Sequence, residues 1–357
     1  MMAAMSRKSW LVSSIAALGM FTAGCGSPPE EPAPMGPCDP ERQACHFAHD
    51  FGAAEVKAGE EISDLCFSWT VGNTTDLLVN STELNNDGAY HHSNWFFVPE
   101  KSFVHPDGQF PCSTIHFDEV TAALLGGVLF AQSTQAEKEV QRFAPGAVVR
   151  VPANARILGS VHLLNASPTD RKTGLRLTMH TLPPDQVTVP LTPFRLTYYD
   201  LRLPPMRRSE VGGACDLRAP YEKRIGEPFR MHLYFVLPHY HQLGRRFHLQ
   251  LLGGPRDGQT LFDSRAEVGE PGGMTFDPAV DLSQADGFKF SCTFDNPRKS
   301  EVNWGIGDQE MCEMLGFADS RAAFDAVVEE GQQLGGSDPS GTMRFSGPCN
   351  VAAYRVR

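Results

Sequence analysis

Two histidines, His239 and His241, stand two residues apart at the end of an apolar, aromatic run, MHLYFVLPHYHQLGRRF, over residues 231–247. On a strand, side chains i and i+2 point to the same face, so both imidazoles can converge on one metal ion. Leu243, Gly244 and Arg245 follow as a turn that takes the chain away from the site. Pairs of this kind are common on surfaces, and partners elsewhere in the chain decide what this one means.

Three further imidazoles lie upstream. His91 and His92 are adjacent in AYHHSNWFFVP. Neighbours on a regular strand face opposite sides, so both can meet one ion only where the strand twists, bulges or ends. The preceding Asn85, Asn86, Asp87 and Gly88 supply such an irregularity. His162 sits in RILGSVHLLN, an otherwise apolar strand, where the bland reading is a satisfied core histidine. Together the three form a set suited to copper or zinc.

Met311, in DQEMCEMLGF, completes a second set with His239 and His241. A thioether is a poor ligand for zinc or magnesium and a good one for Cu(I), so two imidazoles with one thioether select copper. The competing reading is a core-filling methionine. Cys312 follows at once, and a bridge to Cys292 would close a loop of about 20 residues, fix the methionine backbone and contribute ~3 kcal/mol.

The elements that must position these residues are short strands. The chain has 357 residues, 41% of them hydrophobic, with 33 glycines and 27 prolines, which points to many turns and an all-β protein of two domains. A net charge of -11 without a basic stripe argues against nucleic acid as a partner. Strand-like runs at 64–71, 75–79, 95–98, 147–151 and 156–164 suggest a β-sandwich over residues 45–197, with 121–130 a short helix feeding a strand. A second sandwich is expected over 200–357, after a Pro-rich link at 203–205.

Residues 1–25 read as a lipoprotein export signal: a basic start, an apolar stretch, then Thr22, Ala23, Gly24 and Cys25. Cys25 would be lipidated and hold the protein in the cell envelope, at the outer membrane. An ordinary cleaved signal peptide is the other reading. Residues 26–44 form a Pro-rich tether. Of nine cysteines, Cys25 set aside leaves eight, divided between Cys38, Cys45, Cys66 and Cys112 and Cys215, Cys292, Cys312 and Cys349. No CxxC occurs, so disulfides are expected, each domain closed by its own, with Cys66, Cys112, Cys215 and Cys349 among the partners.

In order and spacing, His91-His92, the Val161-His162 pair, the HYHQLG run and the Glu310-Met311-Cys312 triplet resemble the copper type II, ascorbate-dependent monooxygenases. That family includes peptidylglycine α-hydroxylating monooxygenase and dopamine β-monooxygenase. His92 to His162 and His241 to Met311 span the same 70 positions. The resemblance implies two tandem jelly-roll-like β-sandwiches, each carrying one copper. The copper on His91, His92 and His162 would take electrons from ascorbate or a similar reductant. The copper on His239, His241 and Met311 would bind dioxygen and hydroxylate a substrate C–H bond. Where peptide-amidating members carry a basic residue and an aromatic hydroxyl, this chain has Leu237 and Leu315, which argues against a peptide C-terminus as substrate. Two other classes stand beside this one: a copper-binding envelope lipoprotein without catalysis, and a structural β-sandwich with incidental histidines.

Overall fold

The computed structural model describes residues 45–132, 135–265, 272–305 and 308–356. The export signal, Cys25, Cys38 and the tether lie outside the described residues. Within them the chain is all-β, built of two sandwiches.

Alternation of buried and exposed residues sets the first sandwich. In Leu77–Asn86, for example, Leu77 and Val79 turn inward between half-buried neighbours, and a register shift after Val79 lets Leu84 join the same core. One sheet runs Cys45–Val56, Arg171–Thr181, Leu77–Asn86, Ala147–Val151, Val189–Pro190, with Lys138–Arg142 also on Leu77–Asn86. The other runs Gly108–Phe110, Glu61–Thr70, Ala155–Leu164, Tyr90–Pro99, Gly127–Gln132. Phe67, Trp95, Phe130 and Leu177 fill the space between them. The helix feeding a strand is present as Glu119–Leu125 followed by Gly127–Gln132, and the Asp118 carboxylate caps it by accepting from Thr121 N at 2.7 Å.

The second sandwich pairs a sheet ordered Met274–Asp281, His232–His239, Glu313–Asp319, Thr192–Tyr198, Ala322–Val328, Asn350–Arg355 with another. That second sheet is ordered Thr260–Arg265, Gly244–Leu252, Gly287–Asn296, Arg207–Asp216, Met343–Pro348, Gln333–Ser337. Tyr198, Phe247, Phe288 and Phe294 are fully buried between them.

Two boundary expectations are corrected. Thr192–Tyr198 pairs with Glu313–Asp319 and Ala322–Val328, so the chain changes sandwich at Leu191 rather than after Thr197. Residues 203–205 are no interdomain link either, because Arg202–Leu203 pairs with Val302–Asn303 inside the second sandwich.

The bridges Cys66–Cys112, Cys215–Cys349 and Cys292–Cys312 close loops within one sandwich each. Cys45 is disulfide-bonded as well. The sheet holding His232–His239 buries one face in its own sandwich and turns the other on its neighbour. Val236 therefore belongs to the second core, while Phe235, Leu237 and Phe317 join the first. Phe143 of the first sandwich meets Phe317 and Phe235 with ring centroids 5.0 and 5.8 Å apart. The seam is a continuous apolar core.

Candidate metal centre

The adjacent pair His91-His92 reaches one side of its strand through a bulge. Tyr90 pairs with Leu163 and His92 with His162, so one extra residue, His91, is inserted opposite the partner strand. Gly88 and Ala89, both at positive φ (93° and 63°), lead the chain into it. Ring centroids lie 5.2 Å apart for His91 and His92, 5.0 Å for His91 and His162, and 4.7 Å for His92 and His162. One ligand nitrogen from each comes within 4.8 Å of the others. His162 Nε2 is hydrogen-bonded to Glu61 Oε1 at 2.7 Å, and its buried Nδ1 has no partner. That is how a ligating imidazole is usually held, with one nitrogen oriented by a carboxylate and the other left for a metal. The Gln135 amide lies 3.1 Å from His91 Nδ1.

The second pair is held differently. His239 is the last residue of its strand and His241 lies beyond it. Between them Tyr240 is fully buried, and packing its ring inward turns the flanking imidazoles away from the core. The turn fits only glycine at 244, since a Cβ there would stand 1.9 Å from the Tyr240 ring. A buried carboxylate pins the chain as it leaves: Glu310 Oε2 accepts from His241 N at 2.8 Å and Oε1 from Leu243 N at 2.6 Å. Burial pushes the Glu310 carboxyl up to about 7, against the pull of these backbone donors. His241 Nδ1 bonds Gln309 O at 2.9 Å; a carbonyl only accepts, so Nδ1 carries the hydrogen and the lone pair sits on Nε2. Residues 309–312 are thus tied to His241 at one end and by Cys292–Cys312 at the other, with Met311 between.

The two sets meet at the seam. His92, His239 and His241 bring ligand nitrogens within 4.8 Å of one another, so His92 belongs to both groups. Its ring centroid is 5.2 Å from that of His239 and 5.8 Å from that of His241, which in turn lies 5.9 Å from His91. Five imidazoles form one continuous cluster, where the sequence suggested two separate sets. Burial, reinforced by the neighbouring imidazoles, holds His92 and His239 well below the usual histidine range, and burial lowers His162 against the pull of Glu61. These rings are neutral at pH 7, the state in which imidazole ligates.

A cavity of about 400 Å³ opens beside the cluster, bordered by His92, His162, His239 and Met311. Met311 is 9% exposed. Phe96, Leu124, Val128, Phe194 and Phe324 give the cavity apolar walls, and Leu237 and Leu315, paired across neighbouring strands, lie on its floor. Its polar end is a network. Arg195 donates to Asp325 through Nε at 3.0 Å and Nη2 at 3.2 Å, and through Nη1 to the Tyr199 hydroxyl at 3.0 Å. Glu119, held by Asn94 Nδ2 at 3.1 Å, and Glu313, directly across from His239, complete it. Both are half-buried at the cavity, and desolvation raises Glu119 and pushes Glu313 to about 7.

All six metal-ligand candidates therefore come to one region. Glu61, Arg195 and the two cavity glutamates carried no spacing signal that would have singled them out, and Glu310 was visible only as the neighbour of Met311 in its triplet.

No family model and no curated protein matches the chain. Among solved structures, the major capsid protein P2 of bacteriophage PM2 is similar over 77% of this chain and 98% of its own, at 9% identity and a TM-score of 0.31. The exported protein XepA of PBSX (76% and 86%, 8% identity, TM-score 0.21) and the N-glycanase PNGase F (76% and 97%, 8%, 0.29) are comparable. Likenesses of this depth carry no argument about the chain.

Proposed function

We propose that the chain is a copper-dependent monooxygenase of the ascorbate-using type, hydroxylating a C–H bond of a small molecule held in the cavity at the seam. One observation carries this reading: two overlapping imidazole sets and a thioether border a single apolar cavity with a polar end. The ligands fit copper. His92 and His162 each present a buried ring nitrogen that no protein group satisfies, and Met311 adds the soft donor that zinc and magnesium do not favour. Copper bound there would supply one-electron exchange with a reductant and the activation of dioxygen.

The chain's own residues do the rest. Glu61 fixes the orientation of His162, and Glu310 fixes the turn that carries His241. Apolar walls exclude water and hold an apolar body beside His239 and Met311, while Arg195, Tyr199, Glu119 and Glu313 hold a polar group. Leu237 and Leu315 make that floor unlike a peptide-carboxylate clamp. Export and lipidation at Cys25 belong to the same reading, and the disulfides suit an oxidising compartment. Among the described residues no helix is long and apolar enough to cross a membrane.

The test is ascorbate-driven oxygen uptake by the copper-loaded protein against a panel of exported small molecules and peptides, with Met311→Ile beside it. Ile keeps volume and apolarity, so the fold should lose under ~1.5 kcal/mol, while Cu(I) affinity and turnover collapse. Tight copper with no uptake on any substrate would favour a non-catalytic copper lipoprotein. Unchanged Cu(I) affinity in the variant would make Met311 a core residue.

A further inference from the structure

The helix Glu119–Leu125 has its polarity turned inside out. A helix at the surface of a folded domain ordinarily shows its charges to water and its large apolar residues to the core. Here the one charged side chain, Glu119, borders the cavity and accepts from Asn94 Nδ2 at 3.1 Å, and desolvation raises its carboxyl. Val120, Leu124 and Leu125 are instead 41%, 52% and 51% exposed. Among the described residues eight large apolar side chains are exposed, so three of them within seven positions form a patch rather than scatter. Val120 and Leu124 also border the cavity, so its wall is here the outer surface as well. Phe117, just before the helix, meets Phe103 with ring centroids 5.4 Å apart, and the next residue, Val104, is 67% exposed. The helix carries no basic residue, and the Asp118 carboxylate stands at its start, so nothing there draws an anionic surface.

We propose that this helix rests on a lipid bilayer and that the cavity takes its ligand from there, a single-chain lipophile with a polar head. The chain of such a molecule passes Val120 and Leu124 onto the apolar walls, and its head meets Arg195 and Tyr199. A bilayer is the occupant that the protein itself keeps within reach. In the reading above Cys25 is lipidated, and the Pro-rich residues 26–44 span at most about 60 Å. The net charge of -11 turns the protein away from anionic headgroups, which leaves apolar contact with zwitterionic lipid. The inference rests on the envelope location and the cavity of the proposed function, and its binding steps need no copper.

The probe is a phosphatidylcholine vesicle with bromine on its acyl chains, which quenches any indole that enters the bilayer, mixed with the full chain free of metal. Leu125→Trp puts an indole on the patch at a residue that does not border the cavity. Leu334→Trp puts one at a comparably exposed position of the second sandwich. Against unbrominated vesicles the added emission at 125 should fall severalfold, at low and high salt alike, while that at 334 stays unchanged. No quenching at 125, or equal quenching at both positions, would overturn the bilayer contact. Bromododecanol reports loading: it should quench Trp304, which borders the cavity, and Trp304→Phe should abolish that loss. Quenching that Trp304→Phe leaves unaltered, or none at all, would overturn the ligand class. Thermal melting checks the fold of each variant. Oxygen uptake on a water-soluble substrate without quenching at 125 would retain the monooxygenase and sink the bilayer contact, and quenching without uptake would do the reverse.

Discussion

In the first sandwich the imidazoles project from the interior of two hydrogen-bonded strands, whereas in the second they sit where a strand has just ended. His92 and His162 are direct cross-strand partners, so the sheet ladder itself sets their separation, and a one-residue bulge brings in His91. His239 and His241 have no ladder beyond the strand end. Their geometry comes from the packed Tyr240 ring, the Glu310 carboxylate and the Cys292–Cys312 bridge. The difference teaches that a histidine set can be fixed by register alone where strands continue, and needs a buried carboxylate and a crosslink where they stop.

Glu310→Ala tests that contrast most severely. It leaves the N–H groups of His241 and Leu243 buried without acceptors, at a cost of about 2–5 kcal/mol. The melting temperature should fall, and Cu(I) affinity should drop at the His239, His241 and Met311 set while His91 and His162 still bind. Equal loss at both sets, read by copper titration, would show that the two halves are not positioned independently.

Glu61→Gln makes the matching change in the first sandwich. The ladder should still place His162, so stability should barely move. Losing the carboxylate partner should weaken copper at that set by about 10- to 100-fold, and an unchanged titration would confine Glu61 to a surface role.

Much of this was legible in the sequence, for a physical reason. A pair two residues apart on a strand, a histidine in an apolar run and a methionine before a cysteine are local patterns, and local patterns survive in one dimension. The bulge at His91 was foreshadowed by the Asn- and Gly-containing stretch before it. What was not legible depends on packing between distant elements. That His92 is shared follows from docking one sandwich on the other, and no spacing records it. Thr192–Tyr198 has the same alternation in either sandwich, so its pattern could not say which sheet it joins. Glu310 is a lone acid whose partners are backbone groups, and backbone groups leave no sequence signature.

The smallest effect concerns the cavity, to which both sandwiches contribute an acid. Glu119 is raised chiefly by desolvation, opposed by Ser160 and Asn94, so the folded state favours its protonated form. That contribution is complete below the ordinary 4.5 and is lost as pH climbs through the raised value. Glu119→Gln removes the loss, so its melting temperature relative to the unaltered chain should improve as pH rises from below 4.5. Parallel curves at every pH would mean that Glu119 is solvated like any surface acid.

The seam has one more consequence, for how this chain could have arisen or be dismantled. Phe235, Leu237 and Phe317 are built into the second sandwich yet complete the core of the first. A cut at Leu191 would strip that apolar surface bare on both fragments and divide every wall of the cavity. Neither fragment could be trimmed free of the other or traded between proteins as a module. Shuffling the halves would require the two faces to change together.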